Sequence, residues 1–142
     1  MREREVTRRI AERLKAEGVL NMTVRYQQEH GPDIEAELPD TRKKLYIEAK
    51  GERPGGQETA KRRVALGEAL FQILSVYDLD VICVIALPYT KGYQDLVKRI
   101  MPGLRQLHLH VLFVGADGIW HLSPKTNGFF PTKPVLLLEA LC

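Results

Sequence analysis

Asp33, Glu48 and Lys50 are the residues whose types and spacing could do chemistry in this chain. They sit at the two ends of GPDIEAELPDTRKKLYIEAKG, residues 31–51. Two carboxylates can hold a hard divalent cation, and an ammonium beside them can stabilise developing negative charge. The question is whether the chain brings them together. Ile34, Ala36 and Leu38 alternate with Glu35 and Glu37, and Leu45, Ile47 and Ala49 alternate with Tyr46, Glu48 and Lys50. Period-2 alternation predicts two strands with one apolar face each. Pro39-Asp40-Thr41-Arg42 between them is turn chemistry. A turn centred between Asp40 and Thr41 puts Ile34 opposite Ile47, Ala36 opposite Leu45 and Asp33 opposite Glu48. Like charges directly opposite on a sheet cost roughly 0.2–1 kcal/mol, and a divalent cation between them would offset that cost. Lys50, two residues past Glu48, projects from the same face. The competing reading is a solvated hairpin face carrying mixed charge.

The elements around the hairpin must position it. Residues 2–17 read as a helix with Val6, Ile10 and Leu14 as its apolar stripe and Gly18 as its C-cap. Residues 22–28 (MTVRYQQ) read as a first strand. Residues 51–56 form a glycine-rich loop that lacks the GK[ST] ending of a P-loop. Residues 58–77 read as a long helix, with Val64, Ala65, Leu66, Ala69, Leu70, Ile73 and Leu74 facing the core. Residues 80–87 are an apolar run of the kind found in a central strand covered on both faces, and Pro88 ends it. Residues 93–107 place Leu96, Val97, Ile100, Leu104 and Leu107 at helical spacing, interrupted by Pro102, which should kink or break the helix. Residues 109–114 and 119–122 read as strands. Residues 123–134 look irregular, and the apolar stretch 135–141 either docks on the core or makes a subunit contact. The order α-β-β-β-α-β-α-β-β predicts an α/β fold with a mixed central sheet flanked by helices.

With 142 residues, one domain is expected, large enough to bury a core. Hydrophobic content of 44% and charged content of 27% are those of an ordinary globular protein. The net charge of +3 says little about partners, but the basic residues cluster. Arg42-Lys43-Lys44 mark the hairpin tip, and Lys61-Arg62-Arg63 open the helix after it, the latter suited to phosphate contact. The basic residues of 2–15 are interleaved with Glu3, Glu5 and Glu12, so a solvated helix face and a phosphate-binding face stand equal there. The two cysteines give no disulfide framework. No signal peptide is visible and no apolar run reaches transmembrane length, which predicts a cytoplasmic protein with no membrane partner.

Pro32-Asp33 followed by Glu48-Ala49-Lys50 resembles the motif of the PD-(D/E)xK nuclease superfamily, and the restriction endonuclease-like αβββαβ core of that superfamily is similar to the order predicted for residues 2–114. The resemblance is looser to archaeal Holliday junction resolvases. It implies a Mg²⁺-dependent DNA nuclease, with Mn²⁺ able to substitute, acting as an endonuclease on phosphodiester bonds. It implies Asp33 and Glu48 as metal ligands, the Ala49 carbonyl as a further one, and Lys50 orienting the attacking water. The ion would act as Lewis acid and lower the pKa of water. Many relatives add a glutamate from the first helix. Glu3 falls within the Val6–Ile10–Leu14 stripe at about 100° per residue, and Glu5 is the alternative. Gln72 resembles a glutamine on the helix after ExK that contacts substrate or water, or is a polar residue at the helix–sheet edge.

Further nucleic-acid contacts are expected from Lys61, Arg62, Arg63, Arg53 and His30. His108 and His110 read as lying on one face of a strand, an H-x-H pair of a kind that can bind metal but with no third ligand near in sequence, while Trp120 and His121 read as edge packing. The resemblance also implies a homodimer and a possible helicase or modification subunit as partner. The competing functions are a DNA-binding module without catalysis and an interaction subunit.

Overall fold

The alternating residues on either side of Pro39 form the two paired strands expected of them. In the computed structural model, which describes residues 1–26, 30–125 and 130–142, β2 (Ile34–Glu37) and β3 (Lys44–Ala49) pair antiparallel. Ile34 faces Ile47 and Ala36 faces Leu45, the register expected from the turn. The remaining elements are α1 (Glu3–Glu17), β1 (Leu20–Val24), α2 (Glu58–Ser75), β4 (Val81–Pro88), α3 (Lys91–Gln106), β5 (His110–Val114), β6 (Ile119–Leu122) and α4 (Leu137–Leu141). The six strands form one mixed sheet in the order β1-β2-β3-β4-β5-β6. β3, β4 and β5 run parallel, with antiparallel pairs at either edge.

The sheet is covered on both faces, and β4 shows why. Ile82, Val84 and Ala86 join one core with Val6, Ile10 and Leu14 of α1. Cys83, Ile85 and Leu87 join the other with Ala69 and Ile73 of α2 and Leu96 and Val97 of α3. A strand buried on both sides has no polar positions, which is the continuous apolar run seen in the sequence. The topology is compatible with an αβββαβ-type core. Among the described residues, no helix is long and apolar enough to cross a membrane.

Four local expectations need correction. β1 begins at Leu20 rather than Met22 and ends at Val24, opposite Ile34 where β2 begins; Gln27 and Gln28, also assigned to this strand, lie outside the described residues. The α2 core face is narrower than expected. Ala65, Leu66, Ala69 and Ile73 are buried, whereas Val64 is 53% and Leu74 42% exposed, because the sheet contacts one side of the helix only. α3 runs through Pro102 without ending. Met101 and Leu104 are buried on either side of the proline, and this packing outweighs the missing N–H. His108 lies before β5 rather than on it, at φ 56°, so it does not share a strand face with His110. His110 instead pairs with His121, Nδ1 to Nε2 at 2.8 Å. Burial lowers both rings to about 4, and for His110 the neighbouring His121 adds to this.

The apolar tail docks on the core. Leu137 and Leu141 are buried against the α1 side of the sheet. The Glu17 carboxylate accepts from the Leu137 and Leu138 amides at 3.0 and 2.8 Å, satisfying two of the free N–H groups that start α4. Glu17→Ala should weaken this docking by about 1 kcal/mol, the scale of a lost helix cap. Hydrogen exchange at the Leu137 and Leu138 amides should accelerate before that of β4; unchanged exchange would mean the cap contributes nothing.

Candidate active site

The antiparallel register puts the start of β2 beside the end of β3. Asp33 is the residue immediately before β2, and its Oδ2 accepts from the Ala49 amide at 2.8 Å. Its carboxyl lies beside that of Glu48, close enough for each to affect the other's ionisation. Glu48 is 4% exposed and Lys50 6%. With Thr7, they are the polar side chains buried among the described residues. Ionisable groups are almost never fully buried without a partner or a task. The Lys50 amide donates to the Ala86 carbonyl, so β4 fixes the backbone from which its side chain leaves.

The next contribution comes from α1. Gly51 lies directly under its first residues, and the Glu52 amide donates to the Met1 carbonyl at 2.8 Å. A Cβ at Gly51 would overlap the Glu3 amide and the Arg2 carbonyl carbon, so only glycine admits the helix start here. This approach places Glu3 in the cleft, 3.9 Å from Lys50 Nζ. Glu5, the alternative, is turned away and bound to Arg8 and Arg9. From the other side, Glu68 of α2 reaches Lys50 Nζ at 3.3 Å and Arg53 at 2.7 Å.

These groups line a cleft of about 780 Å³ with Gln72, Arg2, Arg4, Arg25 and Tyr26. The cleft thus brings together Asp33, Glu48, Lys50, Glu3, Gln72 and Arg53 of the expected residues, with Ala49 tied to Asp33 beneath them. It does not bring in His30, Lys61, Arg62 or Arg63. Arg62 is committed elsewhere. It pairs with Glu52 at 2.9 Å and lies over the Tyr93 ring. Tyr93 in turn donates its hydroxyl to the Gly51 carbonyl. Arg62 is therefore a strut holding residues 51–52 in place. Lys61 donates to the Pro54 carbonyl. His30 and Arg63 are exposed.

Three cleft residues carry little or no signal in the sequence. Glu68 has one, its position one helical turn before Gln72. Arg25 lies opposite Asp33 once β1 and β2 are aligned. Its side chain pairs with Glu35 and donates to the Pro32 carbonyl at 2.8 Å, which braces the Pro32-Asp33 step. Tyr26 has no signal in periodicity.

The electrostatics are those of crowded negative charge. Burial, then the Asp33 charge, pushes the Glu48 carboxyl up to about 8. Burial also raises Asp33, against the Ala49 amide that lowers it. Glu3 is raised by burial, with Lys50 opposing. Glu68 loses a little hydration, but Lys50 and Arg53 hold it below the usual carboxylate range. Two adjacent carboxyls that resist ionising together form a donor set a divalent cation would relieve. They suit an ion such as Mg²⁺, which takes one or two carboxylates and completes its shell with water and phosphate. Among the described residues, no group of three or more His, Cys, Asp or Glu side chains stands close enough to hold a metal. Asp33 and Glu48 are the adjacent pair a cation would meet first, with Glu3 in the same cleft. Compared with known proteins, the chain matches no protein-family model and no curated protein.

Proposed function

We propose that this chain is a metal-dependent nuclease of the PD-(D/E)xK kind, hydrolysing phosphodiester bonds in DNA. The observation that carries the reading is the pair of buried ionisable residues, Glu48 and Lys50, sharing with Asp33 a cleft lined by both carboxylates and basic side chains. In this reading Asp33 and Glu48, with the Ala49 carbonyl, hold a divalent ion, Mg²⁺ or Mn²⁺. The ion supplies Lewis acidity toward the phosphoryl group. Lys50 carries the protein's own part of the chemistry. Its compact ammonium is held against Glu68, with two further N–H donors available. One can orient the attacking water and one can meet charge developing on a phosphoryl oxygen. Arg2, Arg4 and Arg53 supply cationic walls for the backbone on either side, and Gln72 contacts substrate or water.

A panel of supercoiled plasmid, linear duplex, single strand and four-way junction tests this, incubated with Mg²⁺, Mn²⁺ or EDTA. Cutting that needs metal and disappears in Asp33→Ala is the expected result; its loss in the variant rules out a contaminating nuclease. DNA binding that persists in Asp33→Ala with no cutting by the wild type would replace the reading with that of a binding module. Homodimerisation and association with a helicase or modification subunit belong to the same proposal, and the panel run across protein concentrations reports on the first.

Glu68 acts through Lys50 rather than on substrate. Glu68→Ala should lower kcat about tenfold with little change in KM, and Glu68→Gln, which keeps an acceptor for Lys50, should recover part of it. A rise in KM at constant kcat would instead assign Glu68 to substrate binding.

A further inference from the structure

We infer that the cleft contains a stacking subsite for an unpaired nucleobase, formed by Tyr26 and Arg4. This inference rests on the proposed function for the phosphate beside it, and it names the substrate: a strand whose base next to the scissile phosphate is out of the duplex.

Tyr26 is 43% exposed. Among the described large hydrophobic residues that are exposed, it alone lines the cleft holding Asp33, Glu48 and Lys50. Exposed aromatics scattered singly need no explanation, but one at the wall of a charged cleft does. The Arg4 guanidinium carbon lies 4.9 Å from the Tyr26 ring centroid. A planar cation over an aromatic ring makes a flat, sequence-tolerant platform of the kind that stacks single-stranded bases. Arg4 also brings positive charge for the adjoining phosphate.

The wall behind this platform is tied down through Arg25. Tyr26 follows Arg25, whose amide donates to the Asp33 carbonyl at 2.7 Å and whose guanidinium is tied to Glu35 and Pro32. At Gly31, φ is 114° and a Cβ would come within 3.0 Å of that guanidinium. Glycine there keeps the rim low beside the platform. The platform is thereby anchored to the residue that holds the active-site carboxylate. The cleft volume of about 780 Å³ falls in the range that encloses a small ligand, roughly 300–1,000 Å³. That leaves room for a single base and its phosphate beside the platform.

The test uses a single-stranded oligodeoxynucleotide carrying 2-aminopurine, and the same sequence as a blunt duplex, both in EDTA. Wild type should bind the single strand more tightly than the duplex and quench the 2-aminopurine fluorescence. Tyr26→Ala should weaken single-strand binding about tenfold, the order of one stacked base, and abolish the quench. Tyr26→Phe should keep both. Thermal melts of the two variants separate loss of the platform from loss of the fold. Equal single-strand binding by wild type and Tyr26→Ala overturns the inference, as does an equal loss on single strand and duplex, or no single-strand binding by the wild type. Metal-dependent cutting with no Tyr26 dependence removes this inference and leaves the nuclease reading. Tyr26-dependent quenching with no cutting under any metal does the reverse.

Discussion

Asp33→Asn, Glu48→Gln and Lys50→Met should each lower metal-dependent cleavage at least about a hundredfold, the scale of removing one group that stabilises developing charge. The three changes are chosen so that the fold survives. An asparagine in place of Asp33 would still offer an oxygen to the Ala49 amide, which Asp33 now binds at 2.8 Å. A methionine in place of Lys50 keeps the aliphatic stem that is buried there, and Glu68 retains Arg53 as a partner. The losses should not multiply. Groups that act as one unit show grossly non-additive effects, so the double variant Asp33→Asn/Lys50→Met should be little worse than either single one. Initial rates on whichever substrate the wild type cuts, at saturating Mg²⁺, measure this. A loss under about threefold in any one variant with the fold intact would remove that residue from the chemistry.

Above about pH 6.5, where the buried His110 and His121 are neutral whether the chain is folded or not, the metal-free protein should become less stable as pH rises, and Glu48 should be the main cause. Burial and the neighbouring Asp33 raise its carboxyl from 4.5 to about 8. Between those values the folded protein holds a proton that the unfolded chain has released. While the contribution of His110 and His121 rises in the lower part of that window, the Glu48 contribution to stability therefore falls with increasing pH across it. This is the reverse of the usual salt-bridged carboxylate, whose folded pKa is depressed. Each tenfold gain in proton affinity on folding is worth about 1.4 kcal/mol, so the loss is on the order of a few kcal/mol. Asp33 is raised as well and adds to it. Urea unfolding in EDTA from about pH 6.5 to about 8.5 should show the decline in wild type and a flatter curve in Glu48→Gln, with the variant the more stable at the alkaline end. Mg²⁺ should restore wild type at high pH and do little for the variant, because an ion that binds the folded form alone stabilises it. Parallel curves for the two proteins would show that Glu48 ionises freely, and the crowding of the two carboxyls would then not be what the site is built on.

The hairpin was the most legible part of the molecule, for a simple reason. Strand alternation has a period of two, so the apolar sets of residues 34–38 and 45–49 leave one in-register pairing that buries both. The turn residues at 39–42 then fix where it folds. The same logic made α1 and β4 readable, the first by its stripe at helical spacing with a glycine after it, the second by having no polar position at all. What periodicity could not supply was how wide each buried face would be. Val64 and Leu74 are as apolar as Ala65 and Ile73, but the sheet reaches only one side of α2, so the first two stay in water. The covalent geometry of Pro102 predicts a kink or a break, and burial of Met101 and Leu104 carries the helix past it without a break.

The sequence by itself determined the residue types that could hold a divalent ion and the register that sets Asp33 beside Glu48, because both are local in the chain or follow from strand pairing. Tertiary structure decided the rest of the cleft. Glu3 enters because Gly51 lets the first turn of α1 lie on the end of β3. Glu68 enters because α2 crosses over Lys50. Arg62 stays outside the cleft lining because Glu52 and Tyr93 hold it. Each of these depends on where an element's end comes to rest against residues distant in the chain. A linear pattern encodes which face of an element is buried, but the docking of its ends is fixed only when the whole core packs.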